Sequence, residues 1–200
     1  MLNFLKKKIS GEIGYYGLTD WWLSNFTESE RREIIETFQP LGYPKNGLVE
    51  GDIHAADGSA TQLLSALAGW FKKEPKRTLA YRMLEKAEEL SSEAPVIDRH
   101  FLFQAEIEIY YRFRNVDDFA LAKAVEACEK QIALSVAAAK AFKKEYPDSE
   151  LPAHVGYQQL AIIRDKQGRV DEAIRICENV IKQGWCGNWE ERIKRYRKKL

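Results

Sequence analysis

The residues of this chain with the greatest capacity for chemistry are its three histidines and the carboxylates near one of them. His54 lies between Asp52 and Asp57 in a stretch rich in glycine and proline. An imidazole with two carboxylates could bind a metal ion or transfer a proton, particularly if folding brings His100 or His154 close. Structural zinc sites, however, usually have four Cys or His ligands at regular spacing. An enzyme or metal-dependent protein is therefore kept as the alternative hypothesis; we expect no catalytic residue, no metal and no cofactor.

The cysteines offer little redox chemistry. Cys128 and Cys177 fall on apolar helical stripes and are expected in the core. Residues 185–187 (Trp-Cys-Gly) resemble the beginning of a thioredoxin active site, but residues 188–189 (Asn-Trp) follow, so the second cysteine of a dithiol is missing. We expect a turn whose two tryptophans pack against the last helix pair. Three cysteines without a paired spacing also favour a reducing cytoplasm.

Composition narrows the class of protein. The chain has 200 residues, 45% of them hydrophobic and 30% charged, with a formal net charge of +1. These values are typical of a folded globular domain and do not favour nucleic acid as a partner. The basic end, residues 192–200, suits a helix C-terminus, where cations offset the partial negative charge of the last carbonyls.

The same sequence predicts no membrane association. No run approaches the roughly 18 apolar residues that a membrane-spanning helix needs. Residues 1–9 place lysines after a very short apolar run, which is the reverse of the order in a signal peptide. We therefore expect a cytoplasmic protein.

Apolar residues recur every three to four positions over most of the chain, which predicts an all-α fold. Residues 40–58 are the exception, because proline and glycine punctuate them throughout. The sequence therefore predicts an N-terminal cap and long loop over 1–58 and a helical domain over 59–200. Two predicted helices begin at capping boxes, from Thr27 to Glu30 and from Ser59 to Gln62, and a third begins at Pro75. Four more are predicted at about 97–114, 117–145, 152–168 and 170–183, and a last one follows Asn188.

Residues 156–174 resemble a tetratricopeptide repeat. The large, small and turn residues of that repeat correspond here to Tyr157, Leu160, Ala161, Gly168 and Ala173. Small residues allow two helices to approach closely, and glycine suits a turn that needs positive φ. Two positions depart from the family pattern, since Arg164 replaces an aromatic residue and Gly184-Trp185 replaces a terminal proline. The resemblance implies antiparallel helix pairs stacked as a short tetratricopeptide-like solenoid with an N-terminal helical cap.

Two further segments resemble this repeat more loosely. Ala124 and Cys128 correspond to Ala173 and Cys177, and residues 59–92 share only the pairing of helices. The blocks at 17–24 and 184–193 are similar to stretches of uncharacterised bacterial proteins, a likeness that covers most of the chain but implies no activity.

Tetratricopeptide-like arrays bind extended or helical peptides, so the leading hypothesis is a non-enzymatic scaffold that binds a protein or peptide. Self-association through the end faces stays open. Ile162 stands where peptide-clamping repeats have a polar residue, which disfavours a carboxylate clamp. The candidate partner-binding residues are His154, Gln158, Arg164 and Trp189.

Overall fold

The structure, a computed structural model, describes residues 9–200. This part of the chain is all-helical, with ten α-helices packed in neighbouring pairs and no strand. An isolated parallel bridge joins Ala153 to Cys186. The prediction made on the lysines of the N-terminus concerns residues 1–8, which lie outside the described range. The helices are α1 (Gly11–Tyr15), α2 (Thr19–Asn25), α3 (Glu28–Thr37), α4 (Ala60–Trp70), α5 (Arg77–Glu89), α6 (Val96–Arg112), α7 (Ala120–Glu145), α8 (Val155–Lys166), α9 (Val170–Gln183) and α10 (Trp189–Arg197).

The first capping box is confirmed. The Thr27 hydroxyl accepts the Glu30 backbone N–H at 3.3 Å, and the Glu30 carboxylate accepts the Thr27 N–H at 2.8 Å. The short helices α1 and α2 were not predicted. At the start of α1, the N–H groups of Gly11, Glu12 and Ile13 donate to carbonyls of residues 47–51. The long loop therefore caps α1 through the backbone, an interaction between distant segments that leaves no local signal in sequence.

Two predicted helix starts differ from the structure. The Ser59 hydroxyl accepts the N–H of Gln62, so the cap of α4 forms, but α5 begins at Arg77 and not at Pro75. The start at Pro152 was also wrong. Helix α8 begins at Val155 because the His154 ring nitrogen Nδ1 accepts the Tyr157 N–H at 3.3 Å and caps the helix. Helix α9 has the predicted bounds.

The helices pack in a regular order along the chain. Helix α4 contacts α5 and α6, α6 contacts α7 and α8, and α8 contacts α9, which contacts α10. One apolar cluster extends from Ile13 to Ala124, and it joins side chains on both sides of the predicted boundary at residues 58 and 59. A second cluster lies around α8, α9 and α10. The division at residue 58 stays a prediction, and the packing joins the two parts in one core.

The helices of residues 9–200 include none that combines the length and apolar character required to cross a bilayer.

Candidate functional site

A buried aromatic cluster connects the N-terminal end of α6 to the C-terminal helices. The His100 ring lies parallel to the Trp185 ring, with centroids 5.4 Å apart and an interplanar angle of 3°. His154 packs edge-on against both, at 4.7 Å from Trp185 and 5.1 Å from His100. Phe142 of α7 completes the cluster with centroid distances of 5.4 Å to His100 and 5.9 Å to Trp185. We call these four residues the histidine–tryptophan cluster.

Hydrogen bonds around the cluster assign the proton of each imidazole. His154 Nδ1 accepts a backbone N–H, so its proton must lie on Nε2. The Gln131 carbonyl Oε1 accepts the Gly156 N–H at 2.6 Å, which orients the Gln131 amide nitrogen toward His100. That nitrogen donates to the His100 backbone carbonyl at 2.9 Å and lies 3.4 Å from the ring nitrogen Nε2. His100 therefore carries its proton on Nδ1.

Both ring N–H groups lack an oxygen or nitrogen acceptor among the described residues, since His100 Nδ1 and His154 Nε2 are buried without a partner. Burial disfavours the charged form and lowers the pKa of His100 to about 4. Burial, together with the neighbouring His100, lowers the pKa of His154 to about 3. Both imidazoles are consequently neutral at pH 7.

A chain of polar contacts links the Trp185 side of the histidine–tryptophan cluster to the neighbouring helices. The Tyr157 hydroxyl lies 3.3 Å from Ser135 Oγ and accepts a hydrogen bond of 2.7 Å from Gln183 Nε2. The Trp185 indole N–H donates to Gln183 Oε1 at 3.2 Å. The Trp189 indole N–H donates to the Trp185 carbonyl at 3.0 Å. These bonds join α7, α8, α9 and α10 around one buried site.

An apolar groove lies beside this cluster. It is a cavity of about 310 Å³ between the start of α6, the end of α7 and the segment that precedes α8. Phe142 belongs both to its wall and to the histidine–tryptophan cluster. Phe101 and Tyr146 also line the groove, and they are 43% and 51% exposed. Its remaining lining residues are Ile97, Ser149, Glu150, Leu151 and Pro152.

A second depression of about 660 Å³ adjoins the groove and shares its residues 149–151. Its lining carries three carboxylates, Glu150, Glu190 and Glu191, and one ammonium group, that of Lys143. The Cys186 thiol donates a hydrogen bond of 3.3 Å to the Glu150 carboxylate, and this bond raises the pKa of the thiol. A thiol held protonated is a poor nucleophile. The groove thus combines an apolar cavity with an adjacent acidic rim.

The four candidate partner-binding residues do not form one exposed surface. His154 is fully buried and Trp189 is 4% exposed, so both belong to the interior that supports the apolar groove. Their assignment to partner binding stays a prediction. Gln158 is exposed on α8. The Arg164 guanidinium pairs with Glu129 at 3.1 Å.

The alternative set of loop residues is not brought together with the buried histidines. Asp52 and Asp57 line a cavity of about 520 Å³ between the long loop, α1 and α4, and His54 lines a neighbouring cavity. His100 lies instead in the histidine–tryptophan cluster with His154. Within residues 9–200, no group of three or more His, Cys, Asp or Glu side chains is placed to hold a metal ion.

Sequence reasoning missed the residues that line the apolar groove. Phe101 falls within an apolar stretch of helix, where periodicity alone predicts a core position. Tyr146 precedes Pro147 at a helix end, where periodicity carries no information. The backbone bridge that positions residues 149–152 joins segments more than thirty residues apart.

No protein-family model matches this chain, and neither the curated proteins nor the solved structures gave a match. The resemblance to a tetratricopeptide repeat stays a prediction from the residues that carry it.

Proposed function

We propose that this chain is a non-enzymatic helical-repeat scaffold and that the apolar groove binds a segment of a protein partner. The observation that carries the proposal is the pair of exposed aromatic side chains, Phe101 and Tyr146, on the walls of one apolar cavity. Exposed aromatic residues in a preformed cavity are typical of binding sites, because they bury a large apolar area on contact.

The order of helix contacts supports a tetratricopeptide-like arrangement. In a stack of helical hairpins, the first helix of each hairpin contacts its own second helix and the first helix of the next hairpin. Helices α4 and α6 have both contacts, and α8 contacts its own second helix, α9. The last hairpin places the small residues Ala161 and Ala173, both fully buried, in one apolar cluster. Gly168 turns between them with φ of +75°. Such stacks present extended binding surfaces.

The charge beside the groove favours one kind of partner segment. Three carboxylates and one ammonium group line the adjoining depression, so the rim attracts cations. We propose that the bound segment inserts a large apolar side chain and carries lysine or arginine next to it. The protonated Cys186 thiol and the burial of His100 and His154 away from any substrate support a binding role and not a catalytic one. The three unpaired cysteines support a reducing compartment such as the cytoplasm.

Selection from a random peptide library displayed on phage tests this proposal. We expect enrichment of peptides with a large apolar residue beside lysine or arginine, and loss of their binding to F101A and Y146A variants. Val136, which is exposed on α7 outside the groove, gives the matched control V136A, and this variant should bind like the parent. Enrichment of peptides that bind all these variants equally would overturn the assignment of the groove.

A further inference from the structure

A separate cavity of about 360 Å³ lies at the opposite end of the α6–α7 hairpin. It is formed by the end of α6, the start of α7 and the end of α8. Its polar lining comes from Tyr111, Arg114, Asn115, Lys166 and Gln167, and its apolar lining from Leu121 and Ile163. The volume falls in the range of pockets that hold small molecules.

The charge of this cavity is wholly positive. Arg114 and Lys166 line it and no carboxylate does. Neither cation forms an ion pair within the described part of the chain, whereas the neighbouring Arg164 and Lys199 pair with Glu129 and Asp165. The two positive charges in the cavity wall are therefore without a carboxylate counter-charge.

Tyr111 holds both cations in place. The Arg114 guanidinium lies 4.2 Å from the centroid of the Tyr111 ring and donates to the Tyr111 backbone carbonyl at 2.7 Å. The Lys166 ammonium donates to the Tyr111 hydroxyl at 3.1 Å. A cation above an aromatic face is attracted by the ring's quadrupole, so Tyr111 stabilises the guanidinium of Arg114 beside the cavity.

Neutralisation of a helix end accounts for Arg114, which donates to the Tyr111 carbonyl in the last turn of α6, but not for Lys166. Lys166 is the last residue of α8, where a cation would offset the carbonyl dipoles. Its ammonium group instead reaches across to the tyrosine hydroxyl of α6, and the cation is directed to the shared cavity.

We propose that this cavity binds a phosphate monoester that carries an apolar organic group. A phosphate monoester has a charge close to −2 at neutral pH, which matches the two cations better than a carboxylate does. Asn115 and Gln167 offer further amide donors at the rim. Leu121 and Ile163 supply an apolar wall for the ester group. The proposal is independent of the apolar groove and of its peptide.

Calorimetric titration with phenyl phosphate tests the site. We expect saturable binding, weakened about tenfold or more in a K166M variant and in an R114Q variant, because each loses a charge-assisted hydrogen bond. Lys140 is an exposed lysine of α7 outside the cavity, and the matched control K140M should bind within about twofold of the parent, since distant surface charges are screened by salt.

Three results would overturn the proposal. The first is the absence of saturable binding up to roughly 10 mM phenyl phosphate, a concentration that would reveal even a weak millimolar site. The second is a weakening in K140M equal to that in K166M and R114Q. The third is equally tight binding of benzyl alcohol, which has no charge. Inorganic phosphate binding as tightly as phenyl phosphate would overturn the assignment of an organic ester. Circular dichroism of each variant shows that a loss of binding is not a loss of fold.

Discussion

His100 and Trp185 stack with nearly parallel rings, and this contact joins α6 to the segment between α9 and α10 across 85 residues of sequence. The contact lies behind the wall of the apolar groove, since Phe142 touches both rings and faces the groove. The shape of the groove therefore depends on an interior built by α6, α7, the N-cap residue of α8 and the turn after α9.

Replacement of Trp185 by alanine should destabilise the fold strongly. The side chain is buried and packs against His100, Phe142 and His154, so its removal leaves a cavity. We expect a loss of roughly 3–5 kcal/mol in the free energy of unfolding, measured by guanidinium denaturation. Trp70, which is half-exposed, gives the control W70A, for which less than half of that loss is expected. Equal losses for the two variants would contradict the structural role of the cluster.

The neutral histidines predict a fall in stability toward acid pH. Because the folded-state pKa of His154 is about 3 and its ordinary value is 6.5, the unfolded chain binds a proton that the folded chain does not between these values. Stability should therefore decrease as the pH falls from 6.5 toward 3. An H154N variant keeps a side-chain oxygen that can cap α8 but has no titratable ring.

The comparison of H154N with the parent measures this effect together with its coupling to His100, because groups distant from His154 titrate equally in both. Between pH 6 and pH 4 the parent should lose up to about 1.4 kcal/mol more per pH unit than the variant. The free energy of unfolding from urea denaturation at several pH values gives both slopes. Identical slopes would show that His154 is accessible to protons in the folded protein.

Glu106 predicts the opposite dependence on pH. This carboxyl group is buried on α6, and burial, with Glu88 nearby, raises its pKa to about 8. Between its ordinary pKa of 4.5 and about 8 the folded chain holds a proton that the unfolded chain has released, so stability should fall as the pH rises through this window.

An E106Q variant removes that titration while it keeps the shape of the side chain. At pH 8 it should be more stable than the parent by an amount on the order of a few kcal/mol, and at pH 5 the two should be much closer. The exposed Glu108, two residues along α6, provides the control E108Q, which should change stability by less than about 1 kcal/mol. An E106Q protein that is less stable than the parent at pH 8 would contradict the prediction.

Two helical glycines should respond in opposite directions to alanine. At Gly156 a new Cβ would lie 2.7 Å from Gln131 Oε1 and 3.1 Å from the Cys128 carbonyl oxygen, so α7 and α8 would have to separate. At Gly69 nothing lies within 4 Å of the new Cβ. We expect G156A to lower the melting temperature, and G69A to raise stability by about 0.5–1 kcal/mol through the better helix propensity of alanine. Thermal unfolding measures both effects. A G156A protein more stable than the parent would show that the contact between α7 and α8 can adjust to the added methyl group.

The sequence predicted the elements that local signals define. The capping box at Thr27 and both ends of α9 are determined by neighbouring residues in the sequence, and the structure has them where the sequence predicts. The start of α8 was wrong because the capping residue is a histidine, which is not among the common N-cap residues. Helix α1 was not predicted, because the carbonyls that accept its first N–H groups belong to residues 47–51, which are distant in sequence.

The groove was beyond prediction for a related reason. Phe101 and Phe142 both fall in apolar stretches, and periodicity cannot say which of them faces an open cavity. That outcome depends on the path of residues 149–152 and on the bridge from Ala153 to Cys186. His154 was predicted to bind a partner, and the structure places its ring in the interior, where it caps α8.

The most direct test of the account is a backbone amide NMR titration with the tightest peptide recovered from the phage selection. Binding in the apolar groove predicts that the largest shift changes fall at Phe101, Tyr146 and Leu151, and that an F101A variant loses them. Changes centred on the loop at residues 52–57, or a persistent response in F101A, would contradict a partner site at this groove.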